Sequence, residues 1–173
     1  MKYKAFFIGL LFSLIPLSEV YGFNKVKTAN DYLDEAELII KDGTYLPLLE
    51  NKRGEKDKFL QLVNQSLTLA ESARAYLFLG FVSHMAFDSD SYKDSIHYYD
   101  KALKLKPQYK RALIALSSAH FNGKNYNECI NRTNQVLIID PQNKTAKKLG
   151  DNCKSSLDKG NYQAEEILHK SLK

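Results

Sequence analysis

Two segments of the chain repeat at a fixed interval, and this interval constrains the fold more than any other feature. Tyr92 and Tyr126 each follow a polar residue and precede an amphipathic run. Pro107 and Pro141 close these runs and are separated by the same interval as the two tyrosines. A similar segment begins at Tyr162 near the C-terminus. The interval of about 34 residues predicts a solenoid in which each repeat is a pair of antiparallel helices.

The residues at these positions resemble the tetratricopeptide-repeat family. Residues 73–109 form a first full repeat, with Tyr76, Leu79, Gly80, Ser95, Tyr99, Ala102 and Pro107 in the slots that define the family. Residues 110–143 form a second repeat, with Ala112, Leu113, Leu116, Ser117, Cys129, Thr133, Val136 and Pro141 in those slots. Small residues recur where two helices must approach closely, and proline follows where the second helix must stop. The resemblance implies an all-α helix-turn-helix solenoid.

The segments on either side of the two clear repeats depart from this pattern. Residues 144–173 resemble a third, degenerate repeat that lacks the closing proline and caps the stack. Residues 23–72 predict an irregular helix pair, capped at Thr28 or Asn30, that covers the N-terminal end. The first repeat also has about three extra residues in its inter-helix turn, near residues 87–90, relative to the family's repeat. We expect about eight helices in one solenoid.

Residues 1–22 have the layout of a secretory signal peptide. Lys2 and Lys4 precede an apolar run from Ala5 to Leu17, and Val20 and Gly22 have the small size expected before a cleavage site. A membrane anchor is the alternative, but the run is interrupted by a proline and falls short of the ~20 residues that span a bilayer. We therefore expect a periplasmic or secreted protein without a membrane span after cleavage. In such an oxidising compartment Cys129 and Cys153, which the repeat register brings close, could form a disulfide.

Nothing in the sequence points to catalysis, a metal or a cofactor. The four histidines show no ligand spacing, the two cysteines are not in a CxxC motif, and no phosphate-binding loop is present. The net charge of +5 is modest and lysines alternate with acidic residues, which argues against a nucleic-acid partner. An enzyme such as a muramidase using Glu37 or Glu50 ranks third, because no acid, base or nucleophile cluster is evident.

The resemblance assigns ligand binding to the concave face, which the first helix of each repeat forms. The family's groove positions correspond to Arg74, Leu77, Phe81, His84, Arg111, Ile114, Ser118, Phe121, Asn122, Lys148 and Asn152. Arg74, Arg111 and Lys148 would make a cationic line beside apolar positions, which suits an acidic peptide or helix of another protein. Several of the apolar residues could instead be packed between helices.

One subtype of the family is excluded by its residues. Repeats that clamp the C-terminal carboxylate of heat-shock chaperones use Lys and Asn where this chain has Leu77, Phe81 and Ala115. The sequence therefore predicts an exported scaffold for protein–protein interaction with a different ligand, and self-association through exposed repeat faces is an open alternative. A secreted factor acting on a host protein, or an accessory subunit of a cell-envelope enzyme, would fit the same features.

Overall fold

Seven helices make up the part of the chain that the structure describes. The structure is a computed structural model that describes residues 26–40, 48, 54–85 and 91–171, with the backbone alone for 91 and 161–171. The helices are α1 (Ala29–Ile39), α2 (Glu55–Leu69), α3 (Ala73–His84), α4 (Ser91–Leu105), α5 (Lys110–Asn122), α6 (Tyr126–Ile139) and α7 (Lys144–Ser171). The predicted signal peptide and the predicted long turn at 87–90 lie outside the described residues.

Local capping chemistry sets where the helices of the N-terminal half begin. The Thr28 hydroxyl accepts a hydrogen bond from the Asp31 amide, and the Asp31 carboxylate accepts one from the Thr28 amide. This reciprocal pair is a capping box, which satisfies amides that have no partner within the helix. The Ser72 hydroxyl caps α3 in a simpler way by accepting from the Arg74 amide at 3.2 Å. Of the two predicted caps for α1, Thr28 is the one used.

The helices pack as successive antiparallel pairs that share two hydrophobic clusters. The N-terminal cluster joins α1, α2 and α3 around the fully buried Leu33, Phe59 and Phe78. The central cluster joins α3 to α7 around Leu77 and Tyr99. Because α3 contributes Phe78 to one cluster and Leu77 to the other, the helix pairs form one continuous stack. The predicted all-helical solenoid is confirmed.

Close approach of the helices depends on small residues at defined positions. A Cβ atom added to Gly80 on α3 would lie 2.3 Å from Cε1 of Tyr99 on α4, and one added to Gly150 on α7 would lie 3.0 Å from the Thr133 hydroxyl oxygen. The hydroxyl of the fully buried Ser117 donates a hydrogen bond to the Leu113 carbonyl oxygen at 2.7 Å. These contacts explain why the repeat requires small residues where its helices cross.

The C-terminal segment differs from the predicted helix pair. Residues Lys144–Ser171 form one helix of 28 residues, twice the 14 of α6, so it is about 42 Å long at 1.5 Å per residue. The chain leaves α5 through a turn in which Lys124 has a φ of 58°, whereas at Gly160, where a similar turn was predicted, the helix continues. A Cβ atom added to Gly160 would have no neighbouring atom within 4 Å. No proline follows Pro141, so this segment contains no helix-breaking proline. Near Gly160 there is also no close packing contact that would end the helix. The segment packs on α6 and α5 as a single helix and does not form a helix-turn-helix repeat.

A disulfide joins α7 to α6. Cys129, near the start of α6, and Cys153, in the middle of α7, are bonded through their sulfur atoms with their Cα atoms 6.2 Å apart. Both residues are fully buried. The sequence left their pairing open, and the antiparallel arrangement of α6 and α7 is what brings them together. In the part of the chain that the structure describes, no helix is long and apolar enough to cross a membrane.

Candidate protein-binding groove

The first helices of the repeats and the start of α7 form a surface with two adjoining cavities. The first cavity, of about 270 Å³, is lined by Phe81, His84, Tyr99, Arg111, Ile114, Ala115 and Ser118. The second cavity, of about 420 Å³, is lined by Ile114, Ser118, Lys144, Thr145, Lys148, Leu149 and Asn152. Because Ile114 and Ser118 line both cavities, the two form one trough across α3, α5 and α7, which we call the groove.

The two halves of the groove differ in chemical character. In the first cavity the rings of Phe81 and Tyr99 meet edge to face, with centroids 5.9 Å apart, beside the partly exposed Ile114. In the second cavity Lys144, Lys148 and Asn152 follow one another at successive helical turns along α7, which places them on one face of that helix. One half of the groove therefore offers apolar surface and the other offers hydrogen-bond donors and positive charge.

His84 links the two helices that bound the first cavity. The Asn122 side-chain amide, on α5, donates to His84 Nε2 at 2.7 Å, and the Tyr99 hydroxyl lies 3.5 Å from Nδ1. An imidazole that accepts a hydrogen bond at Nε2 is uncharged. Burial lowers the pKa of His84, which also favours the uncharged ring.

This arrangement predicts a loss of stability in mild acid. As the pH falls below the ordinary histidine pKa of about 6.5, the unfolded chain binds a proton at His84 before the folded chain does, so the free energy of unfolding falls. Burial lowers the pKa of His120 as well, which adds to the same trend. We expect urea unfolding between pH 7 and pH 5 to show this decline, with a smaller slope in a His84→Gln variant. An identical slope in the variant would contradict the role of His84.

The N-terminal helix α1 supplies carboxylates to Arg111, which lines the first cavity, and to Arg74, which lines neither cavity. Arg74 donates to Asp34 at 2.5 Å, to the Leu33 carbonyl at 3.2 Å and to Glu37. Arg111 donates to the other Glu37 oxygen at 3.1 Å. Burial opposes the ionisation of Glu37, but the hydrogen bonds from Arg111 and Arg74 outweigh it and hold the pKa of Glu37 below its usual range. Glu37 thus bridges α3 and α5 from a third helix.

This bridge corrects the predicted cationic line. Arg74 and Arg111 are engaged with the chain's own acidic residues, so they do not present uncompensated charge to a ligand. Lys148 lies one repeat period after Ile114, and both line the second cavity. Among the residues that the structure describes, the groove lysines without an ion pair, Lys144 and Lys148, therefore lie at its α7 end.

The structure brings most of the predicted groove residues together and removes a few. The residues that line the two cavities are Phe81, His84, Arg111, Ile114, Ser118, Lys148 and Asn152, and Asn122 joins them through its bond to His84. Leu77 is instead fully buried in the central cluster and lines neither cavity. Phe121 packs on Tyr126, with ring centroids 5.8 Å apart, and Arg74 binds Asp34 and Glu37; neither Phe121 nor Arg74 lines a cavity.

Five lining residues were missed by the sequence prediction: Tyr99, Ala115, Lys144, Thr145 and Leu149. Tyr99 belongs to α4, a second helix of a repeat, and reaches the groove because Gly80 leaves space for its ring. Lys144 and Thr145 precede Lys148 on α7, and Lys144 lies one helical turn before it. This spacing from Lys148 along one helix face is a signal that could have found Lys144.

A further cavity lies on another face of the stack. It has a volume of about 430 Å³ and is lined mainly from α4 and α6 by His97, Asp100, Lys101, Leu103, Lys104, Pro107, Leu113, Arg132 and Gln135. It shares no lining residue with the groove. The ammonium group of Lys101 lies 5.3 Å from the centre of the Tyr76 ring, which already satisfies part of this charge.

Comparisons with known proteins agree on the architecture. The family model for the tetratricopeptide repeat matches residues 86–151. The uncharacterized protein ycf37 of Cyanophora paradoxa is 32% identical over 127 residues, which cover 73% of this chain and 68% of that protein. Among solved structures, the second TPR domain of the human RPAP3 protein in complex with the HSP70 peptide SGPTIEEVD is similar, with a TM-score of 0.57 and 16% identity over 73% of this chain and 94% of that one. At this identity the structural likeness shows the fold alone.

Proposed function

Because the chain belongs to the tetratricopeptide-repeat family, we propose that it is a scaffold that holds an extended or helical segment of a partner protein in the groove. Folds of this type are typically interaction scaffolds, built from repeats that stack into an extended concave surface. The observation that carries the proposal is the continuity of the two cavities through Ile114 and Ser118. A trough across three helices accommodates a chain segment better than a compact small molecule.

The surface chemistry of the groove supports a protein ligand. Phe81 and Ile114 are partly exposed although both pack against the core, so they can bury further apolar area when a side chain enters the first cavity. Apolar anchors surrounded by polar groups are typical of the energetically important part of a protein interface. The cavity between α4 and α6 is less suitable, because charged residues make up much of its lining.

We further propose that the scaffold works outside the cytoplasm. The arrangement of residues 1–22 supports export, and the Cys129–Cys153 disulfide is of a kind that persists in oxidising compartments. N-terminal analysis of the native protein tests this point, since export with cleavage predicts a mature chain that begins at Phe23. For the process that the scaffold serves, a secreted factor acting on a host protein and an accessory subunit of a cell-envelope enzyme both stay open.

A single bulky substitution in the groove tests the proposed function. Ser118 lines both cavities, so a Ser118→Trp side chain should fill the junction and reduce partner capture at least about tenfold, the loss produced by ~1.4 kcal/mol of binding free energy. Asn134→Trp, at an exposed position on α6, is the matched control and should leave capture unchanged. The measurement is affinity capture from the producing cells, with circular dichroism to verify that both variants fold.

Two capture results would contradict binding in the groove. If the folded Ser118→Trp variant captures the same proteins as the native chain, or if Asn134→Trp is the variant that loses them, the groove is not the binding surface. Capture of the chain itself as the groove-dependent species would show self-association in place of a separate partner.

A further inference from the structure

The positive charges at the two ends of the groove are in different states. At the end nearer α1, Arg111 lines the first cavity and is paired with Glu37, and Arg74, outside the cavities, is paired with Asp34 and Glu37. At the α7 end, Lys144 and Lys148 are exposed, and among the described residues neither has an ion pair. The groove therefore has an electrostatic direction, with compensated charge at one end and uncompensated charge at the other.

The second cavity is built to receive an anionic group. Its lining offers two ammonium groups, the Thr145 hydroxyl and the Asn152 amide, and it contains no Asp or Glu. Lys144 and Lys148 lie one turn apart on one helix face, where like charges repel each other. A carboxylate between them would relieve that repulsion and accept charge-assisted hydrogen bonds from both. The nearest acidic side chain along α7, Asp151, is exposed and does not line the cavity.

The first cavity has the opposite preference. Its lining includes Phe81, Tyr99, Ile114 and Ala115, and its one permanently charged residue, Arg111, already donates to Glu37. An acidic ligand residue at this end would find the charge of Arg111 already compensated by Glu37, whereas an apolar side chain would be buried against the partly exposed Phe81 and Ile114. The two halves of the groove thus select different residue types.

We propose that the partner segment carries a bulky apolar residue next to an acidic one, and that it binds in a single direction. The apolar side chain occupies the first cavity, and the carboxylate lies between Lys144 and Lys148 in the second. This inference rests on the proposed function, because it specifies the ligand of the same groove. Ile114 and Ser118 line both cavities, so one short ligand segment can reach both.

Selection from a random peptide library tests the motif without knowledge of the natural partner. The full chain is immobilised, short displayed peptides are selected on it, and the folded Ser118→Trp variant is used to discard peptides that bind elsewhere. We expect the retained peptides to share a Leu, Ile, Phe, Met or Trp with an Asp or Glu near it in sequence, because the two cavities adjoin. A fluorescein-labelled peptide from this set is then titrated in an anisotropy assay.

The anisotropy assay compares two lysine pairs on the same helix. A Lys144→Ala and Lys148→Ala double variant should bind the peptide about tenfold more weakly, with a weaker dependence on salt. A Lys147→Ala and Lys154→Ala double variant removes the same charge from residues that do not line the cavity and should bind with nearly native affinity. An acidic residue replaced by its amide in the peptide should weaken native binding by a similar factor.

The outcomes separate the inference from the proposed function. Groove-dependent peptides that lack an acidic residue, or that bind equally to the Lys144→Ala and Lys148→Ala variant, would overturn the inference and leave the proposed function standing. Failure to obtain any peptide whose binding depends on Ser118 would count against both. Selection of peptides that match a segment of this chain would identify a second copy as the occupant and overturn the assignment to a separate partner.

Discussion

A Gly80→Ala substitution should destabilise the protein by about 1 kcal/mol or more, although alanine is the better helix former. The added Cβ would lie 2.3 Å from Cε1 and 2.5 Å from Cδ1 of Tyr99. Tyr99 is fully buried, so a shift of its ring must displace its neighbours or fill part of the first cavity, which it lines. Overpacking of this kind costs about 1–3 kcal/mol or more, which exceeds the ~1 kcal/mol that alanine gains over glycine within a helix. Urea unfolding followed by circular dichroism measures the change.

The chain contains its own control for this prediction. Gly160 also lies within a helix, but an added Cβ there meets no atom within 4 Å. Gly160→Ala should therefore stabilise the protein or leave it unchanged, by up to about 1 kcal/mol. If Gly80→Ala were as stable as Gly160→Ala, the close packing of α3 against α4 would be wrong. Because Tyr99 also lines the first cavity, Gly80→Ala should weaken ligand binding in addition.

Removal of the disulfide should have an effect of similar or greater size. Cys129 and Cys153 enclose a loop with a sequence separation of 24 residues. Cross-linking such a loop restricts the unfolded chain and stabilises the native state by about 3 kcal/mol in the loop-entropy description. A Cys129→Ala and Cys153→Ala double variant should lose about this amount, without placing new polar groups in the buried site. Equilibrium unfolding of the oxidised native protein and of the variant gives the difference.

A reducing agent provides the matched test for the disulfide. Dithiothreitol should lower the stability of the native protein towards that of the double variant and should not change the variant itself. Equal stability of the native protein with and without the reductant would contradict a stabilising bond between α6 and α7. Since α7 carries Lys144 and Lys148, loss of the disulfide should also weaken binding at the second cavity.

The repeat made the central part of the fold predictable from local sequence alone. The equal spacing of Tyr92 to Tyr126 and of Pro107 to Pro141 corresponds to two helix pairs with the expected order and direction. The C-terminal segment misled the prediction because Tyr162 copies the start of a repeat, while no breaking residue or packing partner near Gly160 ends the preceding helix. Similarity of a short motif was therefore a weaker guide than the presence of a physical stop.

The groove was predictable only where the repeat register determines it. Ile114, Ser118 and Lys148 follow from that register, and the structure places them on the same surface. The ion pairs of Arg74 do not follow from the repeat register, because its partners Asp34 and Glu37 are 40 and 37 residues away, in a helix outside the regular repeats. Contacts that depend on how a non-repeating element packs are not encoded in the period.

The central claim is that a partner protein contacts the groove, and site-specific photo-crosslinking from position 118 tests it most directly. A photoreactive benzoylphenylalanine replaces Ser118 in one variant and Asn134, on the exposed face of α6, in another. Each variant is illuminated in the producing cells, and the cross-linked species are identified by mass spectrometry. We predict a discrete adduct with one partner protein from position 118 and none from position 134. Adducts from position 134 alone, or the same adducts from both positions, would contradict binding in the groove.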